Sequence, residues 1–162
     1  MPTKKLFGFG CEDAQLFRPG NPPAYTDIPG IQEAEFTAEV DKTQVQGDDD
    51  TLTTWYHSPK ATVTLKASVL DLDVIEEITG NKVSAEGTGY SVPLLTDNDL
   101  NPPERGLRIK VKGRSYVDSA PQELYLYIYR IIFSPAKFSG IKGGEAFNVE
   151  IEGEAYKSLK NE

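Results

Sequence analysis

The chain has one cysteine, one histidine, one tryptophan and one methionine in 162 residues, and each scarcity closes a class of chemistry. A lone Cys11 cannot form an internal disulfide and has no neighbouring Cys or His with which to share a metal, which fits a reducing compartment and a plain packed side chain. A lone His57 leaves a hydrolase without the nucleophile, base and orienting group that must converge, and no Gly-x-Ser-x-Gly elbow accompanies it. His57, in "TWYHSP", reads as a solvated loop residue. No apolar run approaches the roughly 20 residues that span a bilayer, so no membrane anchor is expected. "MPTKKLFGFGCED" lacks the apolar stretch of a secretory signal, because Gly8, Gly10 and charged residues interrupt it; synthesis is expected to end in the cytoplasm. Basic residues are the minority, 17 Lys and Arg against 25 Asp and Glu, which argues against a dedicated nucleic-acid binder.

Carboxylates are plentiful, but their arrangement names no reaction. Many pairs satisfy the 5 to 9.5 Å separation (roughly) of a glycosidase, so that pattern discriminates nothing. Asp48, Asp49 and Asp50 are adjacent in sequence and do not converge as the alternating ligands of a calcium loop do; Asp97, Asn98 and Asp99 read as a turn. "FGFG" and "GGE" lack the strand, spacing and lysine of a phosphate loop. No cofactor is implied.

The organisation reads as a single domain over residues 1–162, all-β with one short helix. Residues 19–30, "PGNPPAYTDIPG", hold four prolines and two glycines and read as a loop or extended arm. "EAEFTAEVD" alternates with period two, placing Ala34, Phe36, Ala38 and Val40 inward and Glu33, Glu35, Glu39 and Asp41 outward. Residues 42–59, polar and centred on Gly47 and the three aspartates, read as a long hairpin loop. "KATVTLKASVL" resumes strict alternation, with Ala61, Val63, Leu65, Ala67 and Val69 on one face. The period then changes: "LDLDVIEEITGN" brings Leu72, Ile75 and Ile78 onto one helical face, with Asp71 as cap, Leu70 stapled to Ile75 and Gly80 as stop. After an irregular stretch with a short strand at "GYSVPLL" and a loop at "TDNDLN" come three more strands. These are "GLRIKVKGR", "QELYLYIYRIIF" and "EAFNVEIEGEAY", the last with Phe147, Val149 and Ile151 inside and Asn148, Glu150 and Glu152 outside.

Two charged stripes ask for partners. "GLRIKVKGR" sets Arg108, Lys110, Lys112 and Arg114 opposite Leu107, Ile109 and Val111, while the strand from Glu33 to Asp41 is acidic outside. A symmetric assembly can set the basic edge of one copy against the acidic edge of the next; the stripes can equally be solvated or pair within the chain. Tyr125, Tyr127 and Tyr129 alternate with Leu124, Leu126 and Ile128, the pattern of a central strand covered on both faces. Trp55 and Tyr56 are large aromatics in a polar segment and are expected to be buried somewhere, another copy included.

The order of an early strand, "VQGDDDTLTTWYHSPKATVTLKAS", the helix "LDLDVIEEITGNKV" directly after it and a closing "GGEAFNVEIEGEAYK" resembles the major tail (tail tube) proteins of long-tailed bacteriophages, those of Gram-positive hosts above all. The resemblance spans residues 33–157. It implies a β-sandwich or barrel-like fold with a flanking helix, hexameric rings stacked into a hollow tube within the virion tail, and no active site. It also implies tape measure, tail terminator and distal tail proteins as partners, and double-stranded DNA passing through without specific binding. On that reading Glu33, Glu35, Glu39, Glu150 and Glu152 face the lumen, while Asp48, Asp49, Asp50, Trp55, Tyr56, Arg108, Lys110 and Lys112 contact a neighbouring subunit. A duplex with one charge per ~1.7 Å slides past an acidic wall and sticks to a basic one. The reading from a different class is a carbohydrate-binding or receptor-binding β-sandwich of a virion, with Trp55, Tyr56 and the tyrosine strand as stacking platform.

Overall fold

The computed structural model describes residues 6–18, 22–46, 51–69, 71–93, 96–134 and 149–157. The strands are β1 (Leu6–Arg18), β2 (Ala24–Asp27), β3 (Ile31–Gln46), β4 (Thr51–Ala67), β5 (Ser84–Glu86), β6 (Gly89–Ser91), β7 (Arg105–Ser115), β8 (Pro121–Phe133) and β9 (Val149–Tyr156). The helices are α1 (Leu72–Thr79) and the single turn α2 (Asp97–Leu100), which replaces the loop expected at "TDNDLN". Seven strands form one antiparallel sheet in the order β2-β1-β7-β8-β9-β4-β3, and β5 and β6 make a small second sheet. The fold is all-β with one short helix beside the sheet, as the alternation predicts.

The sheet curls: Cα atoms of β1 and β3, far apart in strand order, come within 8 Å. Ala14 and Leu16 of β1, Val63 and Leu65 of β4, Leu107 and Ile109 of β7, Ile131 and Phe133 of β8, and Val149 and Ile151 of β9 therefore share one core. Helix α1 closes that core with Val74, Ile75 and Ile78. At eight residues it is too short to persist alone and depends on this packing. Asp71 caps it by accepting from the Asp73 N–H at 2.8 Å, and Gly80 ends it with φ 74°, a left-handed conformation that a side chain would oppose. Val74 is buried where Leu72 was expected, because the inward arc sits closer to the C-terminal turn; Leu70 lies outside the described residues.

Four expectations are corrected. Residues 6–18 form a thirteen-residue strand where none was expected, and residues 24–27 of the supposed loop pair with it as β2. Residues 42–46 and 51–59 of the supposed loop form a ribbon: Lys42 stands opposite Tyr56, Thr43 opposite Trp55 and Gln44 opposite Thr54. Val69 lies past the end of β4 and is 48% exposed. Finally, the inward face of β3 is only partly covered: Ala34 packs against the core, whereas Phe36 is 55% and Val40 49% exposed. The face on which they lie is the core face, but their neighbours in the opposite layer run out.

β8 is central in strand order, yet it meets β9 only at Ile131, Ile132 and Phe133. Over residues 121–130, one edge of β8 carries no strand partner among the described residues. Leu124, Tyr125, Leu126 and Tyr127 are each more than a third exposed, so the first part of β8 is open on both faces in a single copy, whereas Ile128 packs against the core and Ile131 and Phe133 are fully buried. The other end is tightly built. Phe17 lies across Gly106, whose missing Cβ would stand 2.1 Å from the ring; only glycine admits this contact.

Candidate functional site

The cross-strand registers gather the acidic residues. Glu33, Lys66 and Glu150 stand in one row across β3, β4 and β9, and Glu35, Thr64 and Glu152 in the next. Thr37, Thr62 and Glu154 follow, then Glu39 and Lys60. All five predicted lumen residues thus share one sheet face, joined by Glu154, which the same alternation along β9 would have supplied. That face carries six carboxylates against the two ammonium groups of Lys60 and Lys66. Glu33 accepts from Lys66 Nζ at 2.8 Å, and this bond first, with Glu150 and Glu35 behind it, raises the lysine above its ordinary value. Lys60 reaches Glu39 only at 4.0 Å. The face is net negative, with Glu33, Glu35, Glu39 and Glu154 exposed and Glu150 and Glu152 half-buried.

The opposite face of β3 borders an open groove of about 260 Å³. Phe36, Ala38 and Val40 form one wall, Tyr127 and Tyr129 with the bare edge of β8 the other, and Ala61 and Ala155 the floor. Apolar surface of this kind, set beside an unpaired strand edge, is the template on which another strand adds. Beyond Lys60, where β9 ends opposite it, β3 and β4 continue as a two-stranded ribbon of roughly 30 Å. Such a ribbon is marginal in water without a supporting surface. Trp55 and Tyr56 lie on it by register; Asp48, Asp49 and Asp50 lie outside the described residues. His57, opposite Asp41, is also in the ribbon and not in a loop.

The basic stripe of β7 finds most of its partners at home. Lys110 donates to Glu12 at 3.2 Å and to Glu123 at 2.8 Å, and Lys112 to Glu12 at 2.8 Å. These bonds, that of Glu123 first, raise Lys110; in return Lys112 and Lys110 lower Glu12. Arg108 packs over the Tyr25 ring, 4.2 Å from its centre, and donates to Gln15 Oε1. Glu12 and Glu123 escaped the sequence reading because each belongs to a strand whose neighbour is set only by the fold. The basic and acidic stripes lie on different parts of the sheet, and the structure does not bring them together within one copy.

Elsewhere, Glu77 of α1 joins two strands. It accepts from Arg18 Nε at 2.9 Å and from Arg105 Nε at 2.8 Å, which fastens the helix to β1 and β7. Among the described residues no three His, Cys, Asp or Glu side chains are placed to hold a metal ion. No protein-family model and no curated protein matches this chain.

Proposed function

We propose that the protein is a structural, non-catalytic subunit of a virion tail tube, self-assembling into stacked rings around a channel that conducts double-stranded DNA. The observation that carries this reading is the unfinished core face of β3, with Phe36 and Val40 exposed beside the bare edge of β8. A second copy supplying its own edge would bury both, and a head-to-tail contact of that type repeats until it closes. The acidic face on β3, β4 and β9 then becomes one continuous wall. A wall of that sign offers phosphates no counter-charge and lets the duplex slide. The ribbon beyond Lys60 reaches a neighbouring subunit or ring, where the apolar area of Trp55 and Tyr56 is covered at ~25 cal/mol per Å². Ring number six, and tape measure, terminator and distal tail proteins as end partners, follow from the resemblance.

Concentrated purified protein is expected to form rings or tubes of uniform diameter under negative stain. A monomer by light scattering at every concentration and salt tried would overturn the proposal.

A further inference from the structure

A second concavity lies across β1, β7 and β8; none of its residues lines the groove, although its Arg108 stands opposite the groove's Tyr127. It has a volume of about 220 Å³ and is lined by Asp13 and Gln15 of β1, Arg108 and Lys110 of β7 and Tyr125 of β8. Three adjacent strands supply it, so its groups are held by backbone pairing: Asp13 opposite Lys110 opposite Tyr125, with Gln15 opposite Arg108.

The guanidinium is positioned with care. Gln15 accepts from Arg108 and donates to Asp27, and the Tyr25 and Tyr125 ring centres lie 4.2 and 5.6 Å from Cζ on the two sides. Lys110 is engaged by Glu12 and Glu123, whereas neither Asp13 nor Arg108 takes part in an ion pair among the described residues. The cavity therefore offers one carboxylate acceptor, several remaining guanidinium donors and a tyrosine ring that is 41% exposed. Tyr125 donates its hydroxyl to Glu123 at 2.7 Å, which fixes the ring.

We propose that this cavity is a saccharide-binding site for a single pyranose ring. Hydroxyls are both donors and acceptors, so one ring can donate to Asp13 and accept from Arg108, while its C–H face lies against Tyr125. A charged ligand gains less, because the half-buried Asp13 and Arg108 would exchange bulk water for a counter-ion with little net change in free energy. A wholly apolar ligand would strand both groups. The site shares Arg108 and Lys110 with the subunit contacts that the tail-tube resemblance implies, and none of its residues lines the groove or lies on the ribbon on which the proposed function rests.

Saturation-transfer NMR of the intact protein tests this with methyl glycosides of hexoses, N-acetylhexosamines and hexuronic acids. Transfer to the ring protons of at least one glycoside is expected. Asp13→Asn and Tyr125→Ala should each weaken it on the order of tenfold, and Tyr125→Phe should retain it, because the ring face and not the hydroxyl meets the sugar. Tyr90→Ala, at a 70% exposed tyrosine on β6, serves as control and should leave binding unchanged. Circular dichroism identifies any variant that fails to fold, in which case the Tyr125→Phe and Asp13→Asn pair decides. No transfer from any glycoside, undiminished transfer with Asp13→Asn, or preferential binding of free amino acids at the same residues would each overturn the assignment.

Discussion

Phe36 and Val63 stand directly opposite each other on β3 and β4, yet Val63 is fully buried and Phe36 is 55% exposed. Two neighbours on one sheet face thus have opposite environments, and substitutions should separate stability from assembly. Phe36→Ser is expected to change unfolding free energy by no more than ~0.5 kcal/mol, as at other exposed sites, while abolishing tube growth. Leu65→Ala, one row along β4, should cost about 2–5 kcal/mol. Urea unfolding with light scattering checks both; normal tubes from Phe36→Ser would place the subunit contact elsewhere.

The ribbon predicts a second separation. Replacing residues 46–54 by a short Gly-Ser turn removes the end of the β3–β4 hairpin, beyond the stretch of β4 that pairs with β9. A folded monomer with unchanged thermal midpoint that no longer polymerises is the expected product. Trp55→Ala alone should weaken association by on the order of 2 kcal/mol per contact, multiplied around a ring. Wild-type assembly by either variant would count against the ribbon as a contact.

Charge reversal on the acidic face should alter what the channel does and not how the subunit folds. Glu35, Glu39, Glu150 and Glu152 all changed to lysine should leave the circular dichroism spectrum intact, since all four lie on the outward face of the sheet and none belongs to the core. Tubes of the variant should retain duplex DNA with steep salt dependence, where wild-type tubes retain none. Equal DNA retention by the two would show that this face does not line the conduit.

Glu77 predicts an acid-side loss of stability. Arg18, and after it Arg105, hold its carboxyl below the ordinary carboxylate range. With the folded value below the unfolded one, of about 4.3, the contribution is complete above that pH and disappears as pH falls through the folded value. Urea midpoints of wild type and Glu77→Gln should therefore differ most near neutrality and converge in acid. A constant difference down to pH ~2 would mean that the carboxylate charge is not what fastens α1.

Gly106 and Phe17 should behave as one unit. Gly106→Ala places a methyl where the ring lies and is expected to cost about 1–3 kcal/mol through overpacking. Phe17→Leu in the same chain should recover part of that loss, giving a coupling free energy measurable by a double-mutant cycle. Strict additivity would mean that the ring simply turns aside.

The strands legible in the sequence were those with one wet and one dry face. "KATVTLKA", "GLRIKV" and "VEIEGEAY" alternate because burial demands it, and each lies in register where the pattern says. β1 was illegible for the complementary reason: Gly8 and Gly10 interrupt the alternation, and its pairing with β7 shifts register on both sides of Cys11. Residues 42–46 and 51–59 lack apolar alternation and, among the described residues, pair only with each other, so a strand there is spelled like a loop. Alternation in "EAEFTAEVD" gave the correct face but not its environment, since period two records which side is apolar and says nothing of how far the opposite layer extends. The tyrosine strand obeys the same rule: its alternation is legible, and how far its first half is covered is not. Of the candidate site, the acidic residues could be placed because strand alternation orients them all alike; the partners of the basic stripe come from long-range pairing.

The strand order has one further consequence. β8, β9, β4 and β3 run alternately down, up, down and up, an even count, so the two bare edges belong to strands of opposite direction. When identical copies are related by simple rotation, the edge leaving one meets the edge entering the next with opposed polarity, and no seam of parallel strands arises at any copy number. In the proposed tube, circumference would follow from the angle at which neighbouring edges meet, near the groove between Phe36 and Tyr127, and could change without rebuilding the subunit.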